Sequence, residues 1–308
     1  MHDIKASALK ALFFPADLLL RRLLFNTHPP PVARVSVDAV YGPDPQQRLD
    51  VIEPHGEGPF PVLLYFHGGG WISGDKASYE RICRSLATKG FVTFNVNYRL
   101  APRHRFPAQV QDVARAVDWV CRHAREYCGD PSRVILAGDS AGAHLASWYG
   151  TSVGNQALQA AAGIDAQLPR TALRGIALFY GIYDVERVRA CRFPFIDLYL
   201  RSLLSGSQTA NAAMLELASP SRHIHADLPP IFICAGERDG LYPESVAYAQ
   251  ALRDRGADLT TLFFTKAQYR EATHGFLYLH RRACARSALE EVGRFLARCA
   301  GSPAAAVS

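Results

Sequence analysis

Gly138-Asp139-Ser140-Ala141-Gly142 is the stretch of this chain best suited to chemistry. An apolar run, Val134-Ile135-Leu136-Ala137, leads into it, and a helix-prone run, Ala143 to Trp148, leads out. Strand, sharp turn, helix, with serine at the apex, is the layout of a nucleophile elbow. The flanking glycines let the chain turn where a Cβ would clash. The turn leaves the Ser140 hydroxyl exposed and aims a helix N-terminus at the reaction centre.

A serine hydroxyl is a weak nucleophile and needs a general base, a histidine oriented by a carboxylate. Elbow enzymes place these in the order serine, acid, histidine. Asp239 follows the apolar run Ile231 to Ala235, and His274 lies in Thr273-His274-Gly275-Phe276 beyond the run Leu259 to Phe264. Both fall on loops at the carboxyl ends of expected strands. Glu237 is the next candidate for the acid, and Glu244 a more distant one. Acyl transfer also needs donors for the developing oxyanion. Phe66-His67-Gly68-Gly69-Gly70-Trp71 follows the run Val62 to Phe66, and its glycines let backbone N–H groups approach a substrate alongside the N–H of Ala141. Each piece alone has a plain structural reading: a tight turn, a loop, a His-Gly pair. Their order and their common position at strand ends carry the argument. His67 is read as a support of the glycine loop and His144 as a helix residue behind the elbow. His223 and His225 lack the acidic cluster that a metal site needs.

The elements that must position these groups follow from periodicity. Arg34 to Tyr41 and Arg48 to Ile52 read as strands separated by Gly42-Pro43-Asp44-Pro45. Val62 to Phe66, Phe91 to Val96, Arg133 to Ala137, Gly175 to Phe179, Ile231 to Ala235 and Leu259 to Phe264 read as strands, most of them continuous apolar runs of the kind buried on both faces. Ala108 to Tyr127, Pro243 to Arg255 and Ala283 to Cys299 read as helices. Alternation of this kind predicts an α/β fold with a mostly parallel central sheet flanked by helices, and ligands beyond the carboxyl ends of the strands. Residues 184 to about 224 break the rhythm, with Phe193, Phe195, Tyr199, Leu203 and Leu204 in no strand pattern. They are expected to form a helical cap with the N-terminal segment, about residues 1–33, on one domain spanning 1–308.

Composition excludes some classes of function. The net charge is +6, but the arginines are scattered and no basic stripe is interleaved with aromatics, so nucleic acid is not an expected partner. Seven cysteines, an odd number without C-x-x-C spacing, suggest free thiols in a reducing cytosol. Ala8 to Phe25 is apolar but interrupted by Pro15, Asp17, Arg21 and Arg22, which rules out a span of roughly 20 apolar residues. No small-residue cleavage site follows, so no secretory signal is expected. The segment suits amphipathic helices packed on the body, and peripheral membrane contact is a second use for it.

His67-Gly68-Gly69-Gly70-Trp71, Tyr98-Arg99-Leu100-Ala101-Pro102, Phe106-Pro107-Ala108, the elbow pentapeptide and His274-Gly275-Phe276 occur in order between about residues 35 and 300. In this set the chain resembles the hormone-sensitive-lipase-like (bacterial family IV) esterases of the α/β-hydrolase superfamily. The resemblance implies an α/β-hydrolase fold, a triad of Ser140, Asp239 and His274, oxyanion donors on Gly69, Gly70 and Ala141, and carboxylesterase activity on short-to-medium acyl esters. It implies no cofactor, a small-molecule ester as partner and a monomer or homodimer; the free thiols point to the cytoplasm, and no metal is expected. Three positions depart from the family pattern: Arg103 replaces an acidic residue, Ala143 a glycine, and Gly240 the proline that usually follows the acid. Gly142-Ala143-His144-Leu145-Ala146 and Tyr180-Gly181-Ile182-Tyr183-Asp184 are also similar to kynurenine formamidases, which makes an aryl formamide, or another activated amide, the alternative substrate. A non-catalytic binding member of the fold is a third reading, disfavoured by the presence of His274.

Overall fold

The computed structural model describes residues 26–165, 167–204 and 211–301. Among these, eight strands form one sheet in the order β1-β2-β4-β3-β5-β6-β7-β8. They are β1 (Arg34–Val40), β2 (Arg48–Glu53), β3 (Phe60–Phe66), β4 (Val92–Val96), β5 (Gly129–Asp139), β6 (Leu173–Phe179), β7 (Ile231–Gly236) and β8 (Leu259–Phe264). β1 and β2 are antiparallel to their neighbours, and every pairing from β4 through β8 is parallel. The expected mostly parallel sheet is therefore the observed one. β5 runs further in both directions than its apolar centre suggested, from Gly129 to Asp139, the residue before Ser140.

Alternation within the strands builds two cores. In β3, Val62, Leu64 and Phe66 pack into one, with α2 (Ala108–His123), α3 (Ala141–Ser152) and α7 (Tyr242–Arg253). Leu63 and Tyr65 pack into the other, with α1 (Glu80–Ala87) and α8 (Ala283–Ala300). Each aliphatic side chain fully buried in this way contributes about 1.5–3 kcal/mol of transfer free energy. The seven cysteines are free thiols, and Cys83, Cys234, Cys284 and Cys299 serve as buried apolar residues of the second core.

Two further helices went unread in the sequence, α1 and α4 (Gln156–Ala161). The helix expected from Ala108 to Tyr127 ends at His123 and tightens into a 3₁₀ turn over Ala124–Tyr127, because Cys128 adopts a left-handed φ of 58°. The segment from 184 to 224 contains α5 (Ile196–Leu203), α6 (Ala212–Leu217) and short 3₁₀ turns, with no strand among its described residues. Both of its stems are tied down. Asp184 accepts hydrogen bonds from Arg222, while the buried carboxylate of Glu244 in α7 accepts from the N–H groups of Tyr183 and Asp184 and from Arg187. The N-terminal part of the expected cap and the apolar stretch Ala8 to Phe25 lie outside the described residues, apart from residues 26–33. No helix among the described residues is long and apolar enough to cross a membrane.

Candidate active site

β5 ends in the elbow. Ser140 has φ 51° and ψ −117°, a backbone conformation that a non-glycine residue rarely adopts. Its N–H donates to the Phe179 carbonyl (2.9 Å), and its own carbonyl accepts the N–H of His144 (3.1 Å), the first bond of α3. The two elbow glycines are explained by close approach. A Cβ on Gly142 would lie 1.9 Å from the Phe66 carbonyl oxygen, and one on Gly138 would lie 2.5 Å from the Gly142 backbone. The strained φ sits on the serine itself.

The loops after β7 and β8 bring the other two groups to this point. The His274 ring has Nδ1 2.8 Å from Asp239 Oδ2 and Nε2 3.0 Å from Ser140 Oγ. A carboxylate can only accept, so Nδ1 carries the proton and donates it to Asp239. Nε2 is left with a lone pair facing the serine hydroxyl, which donates to it. The other Asp239 oxygen accepts the N–H of Leu241 (2.8 Å), and the carboxylate side chain is 1% exposed. Glu237 instead directly follows β7 and accepts the N–H of Lys266 (2.8 Å), and Glu244, in the first turn of α7, accepts from the stem of the roof. Asp239 is thus the acidic side chain that meets the histidine.

The glycine loop after β3 reaches the same edge. Gly69 and Gly70 have φ of +117° and +60°, and Ile72 and Ser73 both donate their N–H to the Gly69 carbonyl (3.3 and 3.1 Å). Among the described residues, nothing accepts the N–H of Gly69, Gly70 or Ala141. The N–H of Ala141 is one of the unsatisfied donors at a helix start, where the peptide dipoles also favour negative charge. Three backbone donors without partners, beside an alcohol hydrogen-bonded to an imidazole, suit a substrate oxygen that becomes anionic.

Supporting residues hold the loop, and sequence reasoning missed most of them. The N–H of Gly68 donates to Tyr79 Oη (2.8 Å) and to Asp139 Oδ1 (3.0 Å). A Cβ on Gly68 would come within 2.7 Å of the other Asp139 oxygen, so the glycine allows this contact. His67 supports the loop as expected: its Nδ1–H donates to the Gly68 carbonyl (2.7 Å), and its ring stacks on Tyr98 at 4.4 Å. Tyr98 Oη in turn donates to the His67 carbonyl (2.8 Å), while neighbouring Arg99 pairs with the fully buried Asp112 of α2 (2.7 Å). The Tyr98-Arg99 motif is a brace for the loop.

The roof comes from residues 184–224. The Phe193 ring lies 4.6 Å from the His274 ring, with Tyr180 on a further side at 5.0 Å. Tyr199 of α5 covers the glycine loop so closely that a Cβ on Gly70 would be 2.6 Å from its ring. Two departures from the family pattern find reasons here. A Cβ on Gly240 would come within 2.7 Å of the Arg192 carbonyl, so this glycine lets the roof backbone descend onto the acid loop. The Ala143 methyl occupies space beside Gly181, where a second Cβ would come within 2.8 Å of it. Arg103 is exposed, and nothing in the structure explains its replacement of an acidic residue. His223 Nε2 donates to the Glu216 carbonyl (2.9 Å), and the ring nitrogens of His225 have no partner among the described residues. No group of three or more His, Cys, Asp or Glu among the described residues is placed to hold a metal ion.

The BD-FAE family model matches residues 49–253, a stretch from β2 to the end of α7 that includes Ser140 and Asp239. The chain is 33% identical to esterase LipQ of Mycobacterium tuberculosis over 230 residues, 71% of this chain and 53% of LipQ. It is 28% identical to esterase LipC of the same organism over 290 residues, 89% of this chain and 70% of LipC. It thus spans about half the length of LipQ and about two thirds of LipC. Among solved structures, esterase B from Lactobacillus rhamnosus superposes with a TM-score of 0.86 at 24% identity, covering 97% of this chain and 95% of that one. The order of motifs, the sheet and these matches agree: the chain belongs to the BD-FAE family and has the α/β-hydrolase fold.

Proposed function

We propose that this chain is a serine carboxylesterase that hydrolyses short-to-medium acyl esters through an acyl-enzyme. The observation that carries the proposal is the His274 ring, hydrogen-bonded to Ser140 on one nitrogen and to Asp239 on the other. The names of the curated relatives, esterases LipQ and LipC, support the reaction class. A solved structure of esterase B carries a tributyrin phosphonate inhibitor, which supports a short-chain ester as substrate.

His274 Nε2 takes the Ser140 proton as Oγ attacks the ester carbonyl. Asp239 holds the ring in its Nδ1–H form and stabilises the imidazolium that results. The carbonyl oxygen, now anionic, rests on the N–H groups of Gly69, Gly70 and Ala141. One such donor contributes ~2.7–4 kcal/mol of transition-state stabilisation. His274 then gives its proton to the leaving alcohol. Water attacks the acyl-enzyme by the same route and regenerates Ser140.

The same groups would cleave an aryl formamide, and the stretches around His144 and Tyr180 keep that as the alternative. Turnover of p-nitrophenyl butyrate against N-formylkynurenine separates the two. The proposal expects the ester to be favoured in kcat/KM by at least tenfold, and a preference for the formamide would replace the ester reading. The cytoplasm as location, a monomer or homodimer, and peripheral membrane contact through residues 9–25 remain part of the proposal. Liposome co-sedimentation of the full chain against a truncated one tests the last.

A further inference from the structure

We infer that His144 is a positioning residue that ties the glycine loop and the roof to the helix carrying the nucleophile. This rests on the reading of Gly69 and Gly70 as oxyanion donors. His144 lies four residues after Ser140, one turn along α3, and is 0% exposed. Its ring makes two hydrogen bonds of opposite sense. Trp71 Nε1–H, which can only donate, points at His144 Nδ1 (3.2 Å). The Ala218 carbonyl, which can only accept, lies 2.8 Å from Nε2. The two partners therefore fix one neutral form, with the proton on Nε2 and the lone pair on Nδ1.

Each partner belongs to a part of the site that needs to be held. Trp71 follows Gly70 directly and has φ +61°, a left-handed conformation that a bulky residue avoids unless its surroundings impose it. Its indole is buried, with its ring edge-on to His144 at 5.1 Å. Its carbonyl accepts the N–H of Ala101 (2.9 Å), so the residue is fixed from both ends. Ala218 directly follows α6, on the return leg of the roof. One turn further along α3, Trp148 Nε1–H donates to the preceding carbonyl, Leu217 (2.6 Å). The nucleophile helix thus reaches two successive carbonyls of the roof, and one of these links continues through the imidazole to the glycine loop. A leucine would fill the same buried volume, but it would supply neither the acceptor for Trp71 nor the donor for Ala218. Burial also keeps the ring neutral, with a pKa lowered to about 4, as an Nδ1 that accepts and an Nε2–H that donates require.

The test uses the purified full chain and three single variants, His144→Leu, His144→Asn and Trp71→Phe, with the double variant of the first and last. His144→Leu removes both bonds. His144→Asn places an acceptor near the position of Nδ1 and loses the reach to Ala218. Trp71→Phe removes the indole donor alone. On p-nitrophenyl butyrate we expect His144→Leu and Trp71→Phe each to lower kcat by about tenfold or more, the effect of roughly 1.4 kcal/mol. We expect KM to stay within about twofold. Inhibition by a trifluoromethyl ketone, which forms a tetrahedral adduct on a serine, should weaken in parallel with kcat. His144→Asn should fall less than His144→Leu. The double variant should be no slower than the slower single variant, because His144→Leu already removes the bond that Trp71→Phe breaks.

A kcat within about threefold of wild type in Trp71→Phe, or losses that multiply in the double variant, overturns the inference. So does a fall in melting temperature with unchanged kcat and unchanged ketone affinity, since packing alone would produce it. Should His144→Leu fail to fold, Trp71→Phe and His144→Asn decide the matter by the same criteria. Wild-type protein that leaves Ser140 unlabelled by a fluorophosphonate overturns the esterase reading together with the inference. Labelling of wild type with unaffected variants overturns the inference alone.

Discussion

Ser140, Asp239 and His274 reach the site from the carboxyl ends of β5, β7 and β8, whereas Phe193 and Tyr199 reach it from a segment with no strand among its described residues. The floor is held by the ladders of a parallel sheet and by side chains buried on both of its faces. The roof has no strand ladder among its described residues: Val185, Val188, Leu200 and Leu203 pack into the first core, and polar ties anchor its ends, Glu244 on the N–H groups of Tyr183 and Asp184, Arg222 on Asp184, and two side chains of α3 on the carbonyls of Leu217 and Ala218. A floor of this kind fixes the positions of reacting atoms closely. A roof packed without a ladder sets the Phe193 and Tyr199 rings beside His274 and the glycine loop. Changes in the floor should therefore act on kcat, and changes in the roof on which substrate is preferred.

The largest effect should follow Asp239→Asn. An amide at this position leaves the floor intact but no longer secures the Nδ1–H form of His274, and kcat should fall on the order of 10⁴-fold. A loss below tenfold in steady-state hydrolysis would mean that Asp239 does not orient the ring. Gly69→Ala comes next. Its φ of +117° is unfavourable for alanine, and the new Cβ would lie 2.2 Å from the Ser73 carbonyl oxygen, so the loop must shift. A drop in kcat of roughly 10²–10³-fold is expected, that of losing one oxyanion donor. Wild-type kcat in a folded Gly69→Ala protein would remove this loop from the account.

A smaller effect links floor and roof through acid. Burial lowers the pKa of His144 from the ordinary 6.5 to about 4, opposed by its hydrogen bond to Ala218. Above pH 6.5 the ring is neutral in both folded and unfolded chains, and its contribution to stability is complete. As pH falls below 6.5 the unfolded chain takes up a proton that the folded chain refuses. Stability is then lost until the pH passes the folded value near 4, by about 3 kcal/mol in all. Urea melts at pH 7 and pH 4.5 should show a smaller acid loss in His144→Asn than in wild type, and equal losses in the two proteins would contradict the assignment. The smallest effect belongs to the roof alone. Tyr199→Ala removes the ring over Gly70 and should shift preference toward longer acyl chains by about tenfold in kcat/KM, the scale of one or two methylenes in an apolar pocket. A series of p-nitrophenyl esters reads this shift, and an unchanged chain-length profile would place the acyl group elsewhere.

The same contrast decides what the sequence makes legible. The centres of β3, β5 and β7 can be read because a strand buried on both faces is a continuous apolar run, and β8, a half-buried edge strand, because Leu259-Thr260-Thr261-Leu262-Phe263-Phe264 is rich in β-branched and aromatic residues; the elbow, acid and histidine follow these strands. α1 escapes because it has only eight residues, about two turns, too short for polar and apolar pairs to establish a helical period. The roof is illegible for a different reason. Its contacts join residues far apart in sequence and of ordinary type: the Tyr199 ring on Gly70, the Arg192 carbonyl on Gly240, and the Ala218 carbonyl on His144. Gly240 shows this most clearly, since its difference from the usual proline has meaning only once the roof backbone is seen above it. Asp139 stands inside the most informative motif, yet its role beneath Gly68 depends on a loop that is 71 residues away.

The most direct test is intact-mass analysis after fluorophosphonate treatment, combined with ester hydrolysis, in wild type and Ser140→Ala. The account predicts a single adduct mapping to the Ser140 peptide in wild type, none in a folded Ser140→Ala protein, and turnover lower by about 10⁵-fold or more in the variant. Near-wild-type hydrolysis by Ser140→Ala, or an adduct on another serine, would contradict it.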